Sequence, residues 1–154
     1  MTLRQYFATA LLTAAPAPMT RWCRRRGKQN IAEGSMASGT SKKTELKLVG
    51  VARASLEELL LDFQDFLRQK GLPLWGKDHP EAQKVRKLAY AKDRSYTTYK
   101  TYLEASPPEV AANTMICLIH QTNYLLDQQL RALEKEFLKE GGFTERLYNA
   151  RSQA

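Results

Sequence analysis

Cysteine, histidine and long apolar runs are scarce in this chain, and each scarcity rules something out. There are two cysteines, Cys23 and Cys117, far apart and neither in a C-x-x-C pair, so the chain is neither a disulfide-built scaffold nor a thiolate zinc site. One bridge between them is the alternative on paper; reduced thiols in a cytoplasmic protein are the better reading, with Cys117 a small buried hydrophobe in the run Met115–Ile119. The two histidines, His79 and His120, lack the Glu-x-x-His partners that a di-metal helical bundle places on two helices. The acid pairs Glu57–Glu58 and Asp62–Asp65 therefore read as a solvated face. No apolar run approaches the roughly 20 residues that cross a bilayer, and no stretch alternates with the period of a strand. Gly34 to Ser41 has the glycine spacing of a phosphate loop, but Thr40 stands where the lysine is required and no strand precedes it. No nucleophile–base set emerges by spacing either, so the sequence assigns no catalytic residue, no metal and no cofactor, and points away from an enzyme.

What the chain does have is helical patterning. Its 154 residues are 43% hydrophobic and 26% charged, which fits one globular domain with a real core. Val49, Ala52, Leu56, Leu59, Phe63 and Phe66 recur at spacings of three and four, which predicts a helix over Lys42–Lys70 with one buried stripe. Thr40 or Ser41 is its expected N-cap, and Gly71 and Pro73 end it. Asp78 or His79 with Pro80 starts a third helix reaching about Ala105, with Val85, Ala89, Tyr96, Tyr99 and Leu103 inward. Ser106-Pro107-Pro108-Glu109 reads as N-cap, N1 and capping box of a fourth helix that runs to Gly141. Its inner stripe takes Met115, Leu118, Ile119, Thr122, Leu125, Leu126, Gln129, Leu133 and Phe137. Upstream, a helix over Met19–Ala32 is followed by a reversal framed by Gly34 and Gly39. Leu46, Leu60, Leu61 and Leu67 lie off the main stripe of the second helix, and that surplus predicts contact with other copies of the chain.

Charge is unevenly spread. Residues 1–43 hold eight of the basic side chains against one acid, Glu33, whereas the rest of the chain is nearly balanced. A concentration at Arg21, Arg24, Arg25, Arg26, Lys28, Lys42 and Lys43 suits nucleic-acid phosphates better than scattered lysines do. Basic residues also interleave with Tyr90, Tyr96, Tyr99 and Tyr102, but a spacing of three suits packing better than base stacking. Arg4 ahead of a short apolar stretch ending near Ala15 matches an export signal weakly, and the arginines that follow oppose translocation.

The strings Gln29-Asn30-Ile31-Ala32-Glu33-Gly34-Ser35 and Val51-Ala52-Arg53-Ala54-Ser55-Leu56-Glu57-Glu58-Leu59 resemble a bacterial four-helix-bundle family encoded in intervening sequences of large-subunit ribosomal RNA genes. That family includes the accessory variability proteins of diversity-generating retroelements, and the similarity covers residues 28 to about 140. The resemblance implies an all-α, antiparallel four-helix bundle over residues 27–142, assembled as a homo-oligomeric ring, a pentamer. In the retroelement branch it also implies a basic surface that contacts nucleic acid and a reverse transcriptase. Two departures stand out: Ala54 replaces the usual Gly, and Pro16 and Pro18 interrupt what is elsewhere a long first helix. Residues 1–26 are then a divergent N-terminal segment with a short or broken first helix, and residues 143–154 a short tail.

Two readings follow. One is a non-enzymatic oligomer that binds RNA or DNA phosphates; the alternative is a protein-interaction scaffold with no nucleic-acid role. A polar network of Asn30, Glu33, Arg53 and Ser55, with Glu33 paired to Arg53, is expected to set the register of the first helix on the second.

Overall fold

The computed structural model describes residues 18–37, 41–91, 95–140, 147–148 and 151–152 and, within them, every side chain except those of residues 18–26, 96 and 140. Every extended element among them is a helix, and none is long and apolar enough to cross a membrane. In chain order they are α1 (Pro18–Ala37), α2 (Lys42–Gln69), α3 (Pro80–Leu88), α4 (Tyr96–Glu104) and α5 (Pro108–Glu140).

Pro18 is the first residue of α1, the position where a missing N–H costs nothing, and Pro16 lies outside the described residues. From there α1 runs unbroken across the boundary expected at residue 27, and through Gly34 to Ala37. The part of the expected reversal from Gly34 to Ala37 is thus helical, and Gly39 lies outside the described residues. Gly34 has a packing role instead: a Cβ there would lie 3.4 Å from Leu48 Cβ and 3.6 Å from Val49 Cγ2. Gly27, two turns earlier, faces Ala52, Ser55 and Leu56. With Ile31 buried between them, α1 lies antiparallel on α2 at close range.

Ser41 caps α2: its Oγ accepts the Thr44 N–H at 3.3 Å, and its carbonyl accepts the Glu45 N–H. At the other end Gly71 adopts φ 62°, which lets the Leu72 N–H reach the Leu67 carbonyl at 2.9 Å and the Gly71 N–H reach Arg68. That pair of bonds satisfies carbonyls which a helix end otherwise leaves open. Along α2, Val49, Ala52, Leu56, Leu59 and Phe63 are buried as the stripe requires. Leu60 and Leu67 are buried too, and Leu46 packs against the core. Because α2 is covered by α1 on one side and α5 on another, three of the four off-stripe leucines are used within the chain. Only Leu61, 59% exposed, faces outward, so the leucine surplus that predicted contact between copies is largely absorbed.

The single third helix expected over residues 80–105 is two. The last turn of α3 tightens to three-residue bonds, Ala89 N to Arg86 O and Tyr90 N to Lys87 O. The chain then restarts at Ser95, whose N–H donates to Thr98 Oγ1 at 3.0 Å. Side chains that satisfy the backbone locally compete with helix continuation, which is the physical reason for the break. Both halves pack on α5, placing Val85, Ala89, Tyr99 and Leu103 in the core; Tyr102 packs beside it and Tyr90 is exposed. Ser106 does not cap α5 as expected. Its hydroxyl donates back to Thr101 O, closing α4, and Pro107 supplies the carbonyl that begins α5. Met115, Leu118, Ile119, Thr122, Leu126, Gln129 and Leu133 of α5 are buried, whereas Leu125 and Phe137, expected on the same stripe, are half-buried at its margin. Leu147, Tyr148, Arg151 and Ser152 of the tail are helical and exposed.

Candidate functional site

Arg21, Arg24, Arg25 and Arg26 all stand on α1 by backbone, and their side chains lie outside the described ones. Lys28 and Lys43 are exposed. Lys42 is not open in the same way: its Nζ donates to Glu136 of α5 at 2.7 Å, which ties the start of α2 to the end of α5. The basic stretch is therefore one helix carrying Arg21 to Lys28, continued by Lys43 at the start of the next.

The four residues expected to form one polar network do not meet. Glu33 is exposed and accepts from Gln29 Nε2 at 2.9 Å on its own helix. Ser55, buried, donates to Val51 O one turn back, and Asn30 is half-buried on α1. Arg53 points to α5 rather than α1, because the α1-facing side of α2 is the side that Gly27 and Gly34 approach. Its Nε lies 2.5 Å from Asp127 Oδ1, and its Nη1 lies 3.1 Å from Glu57 Oε1. Asn123 extends the seam by donating Nδ2 to Glu57 at 3.0 Å. The hydrogen bond to Asp127 is the main cause that raises the Arg53 pKa above its already high value, against the cost of burial, so the guanidinium stays charged.

Nearer the start of α2, Glu45 is buried and its Oε1 accepts from Gln129 Nε2 at 3.3 Å. Glu57 is thus a partner of the seam rather than part of a solvated acidic face. The sequence carried the signal as Arg53-x-x-x-Glu57 on one helix and Asn123-x-x-x-Asp127 on another, each one turn apart. Asp62 departs from the solvated face as well: burial, then the charges of Asp65 and Glu58, raises its pKa.

A cleft of about 390 Å³ opens where the loop after α2, α3 and α5 meet. Asn113 of α5, 1% exposed, builds that corner by holding the loop at two points. It accepts the Trp75 N–H on Oδ1 at 2.8 Å and donates Nδ2 to Pro73 O at 2.9 Å. Trp75 is thereby fixed as one wall, with its ring stacked on His79 at 5.0 Å and 3°. Ile116 and Tyr124 line the α5 side. The cations on the lining are Lys77 and Arg86, and no carboxylate is among the lining residues. Arg86 is held by backbone: Nε donates to Ala82 O and Nη2 to Lys77 O. Cys117 is a free thiol here; burial raises its pKa, only partly opposed by Arg86, so it is a poor nucleophile at neutral pH. Sequence reading did not find the cleft, since its residues come from three separate segments.

No family model, curated protein or solved structure matches the chain.

Proposed function

We propose that the protein is a non-enzymatic helical protein that binds the phosphate backbone of RNA or DNA without reading sequence. The observation that carries this is α1: one uninterrupted helix bearing Arg21, Arg24, Arg25, Arg26 and Lys28, with Glu33 its one acid. After Lys43 acids and bases nearly balance, and several are engaged with each other, as Arg53 is with Asp127. A row of cations on a rigid rod displaces the counterions of a nucleic acid, and that release is the driving force. In this reading α1, α2 and α5 are three rods of an antiparallel four-helix bundle, and α3 with α4 serves as the fourth. Assembly into a pentameric ring and service to a reverse transcriptase rest on the family resemblance alone.

The test compares two charge-matched variants. Arg24, Arg25 and Arg26 are replaced by Ser in one, and Lys84, Lys87 and Lys100 in the other. Binding of a random-sequence RNA is read by fluorescence anisotropy. The first variant should lose about tenfold or more in affinity and the second much less, because phosphate neutralisation is local to the cation row. Equal losses mean that net charge, not α1, drives the interaction.

A further inference from the structure

The cleft beside Trp75 shares no residue with the basic run on α1, and its chemistry is different. Its size falls in the range of sites that enclose a small molecule. Its walls are largely apolar and aromatic, yet its charges are all of one sign. Arg86 is the informative group. It is half-buried, and its Nε and Nη2 donate to neutral backbone carbonyls. Among the described residues no carboxylate lies within ion-pair distance of it; nearby Glu81 is paired with Lys84 at 2.6 Å. The Ala82 and Lys77 carbonyls orient the guanidinium but leave its charge uncompensated in a partly desolvated place, where an anion gains most. Lys77, exposed on the lining, adds to the same field. Gln121 gives its Nε2 to the Arg86 carbonyl at 3.3 Å, which ties the end of α3 to α5 beside the cleft.

Trp75 presents a flat wall that the Asn113 clamp and the His79 stack hold in place, and that favours a ring over a flexible chain. We infer that this cleft binds a small aromatic carboxylate, with its ring against Trp75 and its carboxylate at the Arg86 guanidinium.

Phenylacetate is the probe, with phenylacetamide as its uncharged counterpart of the same shape. In a Trp22→Phe background the one remaining tryptophan is Trp75, so its fluorescence reports the cleft directly. Phenylacetate should change that emission saturably, with a Kd of about 1 mM or tighter for a ligand of this size. Phenylacetamide should bind about tenfold more weakly or worse, because it lacks the charge-assisted bond. That comparison uses one folded protein and does not depend on any change at the cleft. Arg86→Gln should weaken phenylacetate to the level of the amide, and Arg86→Lys should recover part of the loss, with folding checked by circular dichroism. The inference is overturned by emission that does not saturate up to about 20 mM phenylacetate, well past the expected Kd. Equal affinity for acid and amide overturns it as well.

Discussion

Removing the Arg53 guanidinium should loosen the joint between α2 and α5 without disturbing the contact of α1 with α2. Arg53 and Asp127 retain 34% and 39% side-chain exposure, so their pair is neither a surface ion pair nor a buried one. Exposed pairs are worth up to about 1 kcal/mol, whereas breaking a fully buried one costs about 3–5 kcal/mol. Intermediate burial, together with the added bond to Glu57, places the Arg53–Asp127 coupling at about 1–2 kcal/mol. The assay is a double-mutant cycle on Arg53→Met and Asp127→Asn, read by urea unfolding. A second cycle on Arg53→Met and Glu33→Gln is the control, and its two losses should add to within about 0.5 kcal/mol. A coupling below about 0.3 kcal/mol in the first cycle would show that the seam does not hold the two helices together. A coupling in the second as large as in the first would move Arg53 back to α1.

Asn113→Leu deletes two clamps on the loop after α2 and should destabilise the protein by about 2–3 kcal/mol, since the Trp75 N–H loses its acceptor. Hydrogen exchange should speed up in that loop before it does in α2. Gly50 sits inside α2 with open space where a Cβ would stand, so Gly50→Ala should stabilise by about 0.5–1 kcal/mol. Gly71→Ala should instead destabilise by about 1 kcal/mol, because φ 62° strains any residue with a Cβ. Both are read from denaturant midpoints. Asp62 has a pKa raised by burial and by the neighbouring acids Asp65 and Glu58. The folded state therefore holds its proton where the unfolded chain has released it, and stability falls as pH rises from the ordinary carboxylate value to the raised one. Asp62→Asn should accordingly be more stable than the parent at neutral pH, with the gain disappearing once pH drops below the ordinary value.

Much of the helical frame was legible because it is written in local spacing. The α2 stripe, the Ser41 cap, the Gly71 stop and the α5 stripe all follow from residues within a few turns of one another. What was not legible depends on which neighbour each face meets. Leu60 and Leu67 look surplus to one stripe, but a helix covered on two sides buries a wider arc. Arg53 lies one residue past Ala52, and that position alone does not say whether it turns toward α1 or α5. The break between α3 and α4 was written locally, as Ser95-x-x-Thr98, yet it was hidden by an apolar period that stays in phase across it. Of the candidate site, the cation run on α1 could be read directly as charge. The cleft could not, since Trp75, Arg86 and Gln121 come together only when Asn113 pins the loop to α5.

The central claim, that the cation row on α1 grips phosphates, is tested most directly by the salt dependence of duplex binding. With the five cations of α1 engaged, log affinity against log salt should fall with a slope of about −4 to −5. A slope near zero, at any affinity, would contradict it.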